Sequence, residues 1–208
     1  MAVPVHSKNA HIMANGYDVS GFFKSAASKV TVETAETSTF GSSAKSYLPG
    51  LSDGTFALDG YFDGTALVGS DAILAAIVGS AAVFTMLPAG DAVGARGRAA
   101  SVIETTVETT ADVGSAIQVK VDGQASGGMD PIVCMHPLQA ETITGNGTDV
   151  DNLVVSANGA VCYLQVTAMS GTGGPTLTVK LQHSPDGTVW TDLITHTAVT
   201  AANKAERV

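Results

Sequence analysis

The chain has 208 residues, of which 45% are apolar and only 14% charged, with a formal net charge of −9. This composition excludes a disordered acidic chain, which lacks the apolar residues to collapse. It also excludes a nucleic-acid grip, which needs clustered Lys and Arg to displace counterions. The length suits one large or two small domains whose core needs no disulfide staples.

The N-terminal "MAVPVHSKNAHIM" has neither the charged n-region nor the apolar h-region of a signal peptide, so assembly in the cytoplasm is expected. In that compartment Cys134 and Cys162 are expected as unpaired thiols. Short strands are read near 11–14, 17–24 and 29–35, divided by Gly, Asn and Asp. Residues 36–53 then run without strand periodicity, yet Phe40, Tyr47, Leu48 and Leu51 are groups that prefer burial. A long loop with spaced apolar anchors reads as a docking element between subunits. The strand expected at 55–62 places Phe56, Leu58 and Phe62 on one face and Asp53, Asp59 and Asp63 on the other.

Residues 72–90 carry no charge and are long enough to span a bilayer. Asp71 and Asp91 flank them without a basic anchor, and Gly79-Ser80 breaks them. The reading is therefore a helix over 71–79, capped by Ser70 or Asp71, followed by a buried strand at 82–87. No membrane span is expected.

Further strands are expected at 97–109, 115–121, 131–138, 151–156, 160–169, 176–183 and 188–195. Many short strands with a lone helix indicate a mainly-β fold, an antiparallel sandwich or barrel. A turn-rich stretch at 142–152 separates two expected domains, 1–144 and 145–208, the second a β-sandwich module with Trp190 buried in it. The tetrapeptide TVET occurs at 31–34 and 106–109, by chance or by duplication of a hairpin.

The search for chemistry ends in exclusions. The five histidines lack metal-ligand spacing. Ser42-x-x-Lys45 has no partner motif, and no Walker, dinucleotide or nucleophile-elbow sequence occurs. No catalytic residue, metal or cofactor is expected. The single basic cluster, Arg96-Gly97-Arg98, suits a phosphate contact, a solvated hairpin tip, or an intersubunit partner for acids. Between residues 46 and 95 there is no Lys or Arg, while Glu104 and Glu108 share a parity opposite Ile103 and Val107. Such alternation describes either a solvated outer face or an acidic inner wall that repels polyanions.

"TSTFGSSAKSYLPGLSDGTFALDGYFDG", residues 37–64, followed by a helix, resembles the major tail tube proteins of long-tailed bacteriophages. "LQHSPDGTVWTDL", residues 181–193, is similar to β-sandwich segments of phage structural proteins. The resemblance implies a virion tail protein that self-assembles into stacked, hexameric rings around a channel for DNA. The implied partners are copies of itself and other tail proteins such as the tape measure and terminator, with DNA passing through but not specifically bound. It also implies that Asp59, Asp63, Glu104 and Glu108 face the lumen, and that Phe40, Tyr47, Leu48 and Leu51 dock on a neighbouring ring. The alternative is a phage surface module that binds a ligand or decorates a capsid.

Overall fold

The computed structural model describes residues 6–153 and 159–208. Its first strands are β1 (His11–Ala14), β2 (Tyr17–Asp18), β3 (Phe23–Glu36) and β4 (Tyr47–Tyr61). Helix α1 (Ser70–Ile77) precedes β5 (Ala81–Leu87), β6 (Arg96–Thr110) and β7 (Gln118–Val133). The last strands are β8 (Tyr163–Val166), β9 (Lys180–His183), β10 (Thr191–Thr195) and β11 (Lys204–Arg207). The expected mainly-β fold with one helix is what forms. Strands β1 to β7 make one sheet in the order β2-β1-β5-β6-β7-β4-β3, while β9 with β10 and β8 with β11 make two-stranded ribbons. Where two strands were expected at 115–121 and 131–138, β7 runs nearly continuously, and the strand expected at 151–156 enters residues outside those described.

Two compact units emerge. The first joins Met1–Gly21, Ala82–Ala99 and Pro131–Val208, and the second joins Phe22–Ala81 and Ala100–Asp130. Residues 145–208 thus belong to the same unit as β1, β2 and β5.

In the first unit, Asn15 and Gly16 both have positive φ, at 49° and 85°, and link the paired residues Ala14 and Tyr17. An Asn-Gly turn of this kind matches the twist of a hairpin. Gln165 of β8 fastens the turn: its carbonyl accepts the Gly16 N–H at 2.6 Å, and its amide donates to Val83 O at 3.0 Å. His196 is buried, and its Nδ1–H donates to Glu206 at 2.8 Å. The Thr197 hydroxyl donates to the same carboxylate at 2.6 Å and is the main reason its pKa lies below the ordinary value. Both cysteines are free; Cys134 is buried, and its thiol donates to Asp91 O at 3.0 Å. Trp190, expected in a core, is 44% exposed beside a turn whose Asp186 carboxylate accepts the Thr188 and Val189 N–H groups.

The second unit shows why a strand with period-two burial forms. Along β4, Gly54, Phe56, Leu58 and Gly60 are buried, as are Val119, Val121 and Gly123 of β7 and Ala100 and Val102 of β6. Each fully buried Phe or Leu contributes about 1.5–3 kcal/mol. Glycine is needed at 60, where a Cβ would lie 2.2 Å from Phe22 O beside the irregular register of Phe23 and Ser25. The helix begins one residue early, with Gly69 as its cap and no side-chain cap bond. The Ser70 hydroxyl is occupied elsewhere, accepting the Asp63 N–H at 2.9 Å and donating to Tyr61 O at 3.2 Å.

Candidate functional site

The second unit has an open sheet face opposite Phe56 and Leu58. Register places Ser25, Ala27 and Lys29 of β3 beside Asp59, Ala57 and Thr55 of β4, and these beside Lys120, Asp122 and Gln124 of β7. Asp59 is on this face, as expected, but it does not stand alone. Lys24 Nζ lies 3.2 Å from its carboxylate and also donates to Gln118 at 3.1 Å. Lys120 and Asp122 approach to 3.6 Å. Along the stretch from Asp53 to Tyr61 the face carries Lys24, Lys29 and Lys120 against Asp53, Asp59 and Asp122, a balanced set. The lack of basic residues between 46 and 95 suggested an unopposed acidic wall. Sheet pairing brings the lysines in from other strands.

The other acids grouped with Asp59 lie elsewhere. Strand β4 ends at Tyr61, so alternation does not reach Asp63. The Asp63 carboxylate instead closes a turn, accepting the Thr65 hydroxyl at 2.6 Å and its N–H at 2.8 Å, which holds its pKa below the ordinary value. Glu104 and Glu108 share the parity of Ala100 and Val102, which are buried, whereas Ile103 and Val107 are exposed. They therefore lie on the face opposite Asp59. Glu104 is only 7% exposed, with both carboxylate oxygens buried and without a hydrogen-bond partner, and burial pushes its pKa up to about 7. Glu108 is exposed.

The stretch 36–53 is a hairpin arm and not a strandless loop. Glu36, Ala35 and Thr34 pair with Tyr47, Leu48 and Pro49, and a register shift between Val32 and Thr34 absorbs the irregular sequence. The tip, 37–46, is tied by the Thr37 N–H to Ser46 O at 2.8 Å and by Lys45 to Glu36 at 3.0 Å. Phe40 is wholly exposed, and Tyr47, Leu48 and Leu51 are 54%, 62% and 78% exposed. Within the protomer nothing covers these four side chains.

Sequence reasoning missed the lysines of the open face. The run Gln118-Val119-Lys120-Val121-Asp122 alternates cleanly and carried that signal, whereas Lys24 is placed by a register shift that no pattern shows. Among the described residues no group of three or more His, Cys, Asp or Glu is placed to hold a metal ion. No described helix is long and apolar enough to cross a membrane.

No protein-family model and no curated protein matches the sequence. Solved structures do match in fold. A chain of the virion of a native gene transfer agent particle superposes with a TM-score of 0.50 at 11% identity, covering 62% of this chain and 100% of that one. A chain of the tube-terminating cap of the anti-feeding prophage gives 0.50 at 14% identity, covering 64% of this chain and 93% of that one. At such identities the likeness is one of fold.

Proposed function

We propose that this protein is a structural subunit of a phage-type tail that assembles with copies of itself into stacked rings, six to a ring, forming a hollow tube for DNA. The observation that carries the reading is the open polar face of β3, β4 and β7, joined through one hairpin to an exposed apolar arm. A sheet with one solvated face and a long edge strand is protected when copies close it into a barrel. The fold shared with chains of tailed and tube-bearing particles supports the same reading.

In this tube the open face lines the channel. Its lining is charge-balanced: a phosphate drawn to Lys24, Lys29 or Lys120 meets a neighbouring aspartate within a few ångströms, and no site holds it strongly. At physiological salt the field of such pairs decays over ~8 Å, so a duplex slides without a persistent contact. Phe40, Tyr47, Leu48 and Leu51 dock on a neighbouring copy. Further tail proteins cap and fill the tube, and no catalysis is required. Native mass spectrometry with negative-stain microscopy of the purified chain tests this: ring-shaped oligomers and tubes are expected, and a monomer at every concentration overturns it.

One observation favours a second reading, a ligand-binding surface module: Trp190 and Val189 stand exposed beside the Asp186 turn, as an aromatic platform for a sugar ring does. Glycan binding by a protein that never assembles decides for it.

A further inference from the structure

The chain satisfies many of its basic groups internally. Lys24 meets Asp59, Lys45 meets Glu36, Lys120 meets Asp122, and Lys180 meets Asp192. Arg96 and Arg98 differ. Both are exposed, and among the described residues neither makes an ion pair or hydrogen bond. They share a side of β6, and Gly97 between them packs so closely that a Cβ there would lie 2.1 Å from Met86 O. That contact fixes the local strand and leaves two guanidinium groups, the best donors for paired carboxylates, without an acceptor.

The unsatisfied acceptors are Glu104 and Glu108. On the face that holds Glu104, the residues of β4 and β7 are Gly54, Phe56, Leu58, Gly60, Val119, Val121 and Gly123, none of them charged. A buried carboxylate with no partner is costly. Glu104 closes the buried run Ala100, Val102 and Glu104, and the next residues on its side, Thr106 and Glu108, are exposed. A surface laid over that exposed end reaches the rim of Glu104 as well as Glu108.

We infer that Arg96 and Arg98 of one copy bind Glu104 and Glu108 of a second copy, forming an ion-pair contact between subunits. The inference rests on the tube reading and names the polar half of its assembly contacts. It gives the two acids once grouped with the channel wall a different place, in an interface. The occupant follows from charge: in a chain of net charge −9, two unpaired arginines are the scarce partner, and two acids on one strand side are their complement. The contact is heterologous, each copy giving arginines on one patch and acids on another, and such contacts propagate into rings or stacks.

The test measures the critical concentration for assembly of the full chain by light scattering. Arg96→Glu with Arg98→Glu should raise it at least tenfold, equivalent to about 1.4 kcal/mol, while the protomer's unfolding midpoint stays unchanged because both side chains are exposed. Adding Glu108→Arg to that double variant should recover assembly, and Glu104→Gln with Glu108→Gln should weaken it without reversing charge. A double variant that assembles at the wild-type concentration overturns the contact, as does a triple variant no better than the double. Unchanged assembly with lost retention on double-stranded DNA overturns it in favour of a phosphate contact. A wild-type chain that stays monomeric sinks the tube reading and this contact with it, whereas normal tubes from the double variant sink the contact alone.

Discussion

Glu104→Gln removes a charge from the buried side of β6 while keeping the shape of the side chain. Glu104 has both oxygens buried and unpartnered, and its pKa stands at about 7 against an ordinary 4.5. Each tenfold change in proton affinity corresponds to about 1.4 kcal/mol, so ionising this group in the folded protomer costs about 3 kcal/mol. The sign follows from proton linkage. Below pH 4.5 both folded and unfolded chains hold the proton, and the stabilising difference is fully present. Between pH 4.5 and 7 the folded chain keeps a proton that the unfolded chain has lost, so stability falls as pH rises, and above 7 the loss is complete. Glutamine cannot ionise. The variant should therefore match the wild type at pH 4 and exceed it by about 3 kcal/mol at pH 8. Urea unfolding of the protomer, below its assembly concentration and at several pH values, measures the difference. A gap between the two proteins that does not change with pH would refute the reasoning and place Glu104 in water.

Other outcomes follow from single contacts. Gly60→Ala puts a methyl 2.2 Å from Phe22 O, a backbone atom that cannot swing away, and should cost more than about 2 kcal/mol in chemical unfolding. Gln165→Leu strips the Gly16 N–H of its acceptor and should destabilise by about 2 kcal/mol, with the added amide-exchange rate confined at first to the β1–β2 turn. Phe40→Ala with Tyr47→Ala should leave the protomer's melting temperature unchanged, because both are exposed, yet abolish tubes in negative stain. Asp59→Ala should shift stability by less than about 1 kcal/mol, since its pair with Lys24 is solvent-exposed on both sides.

The parts of the fold legible in the sequence were those set by local chemistry. Alternation in 55–61 gave the buried face of β4, and Asp71 to Ile77 gave the helix almost to the residue. Reading failed where a side-chain pattern admitted two phases. In "ASVIETTVETT", Val102 and Ile103 are both apolar, so either parity suits a core; the small buried Ala100 decides for Val102 and carries Glu104 inward with it. The stretch 36–53 was missed as a strand because Pro49 and Gly50 break its pattern, yet its residues pair with β3 through an irregular register. The charge of the open face was illegible in any local window, because Lys24 and Lys120 reach Asp59 and Asp122 through sheet pairing. The order in which loop, strand and helix follow one another was a better guide to the fold than any single charge.

The account's central claim, that the open face of β3, β4 and β7 lines a closed channel, is tested most directly at Ala57. This small residue lies on that face between Ala27 and Asp122, and a cysteine fits there without disturbing the buried side. Ala57→Cys protein is assembled into tubes and exposed to a polymer-linked maleimide too large to enter the lumen, then mapped by peptide mass so that Cys134 and Cys162 are read separately. The account predicts that the introduced thiol reacts in dissociated protomers, is protected from the polymer in intact tubes, and still reacts there with a small maleimide. Equal labelling of intact tubes and protomers by the polymer would contradict it and put this face on the outside.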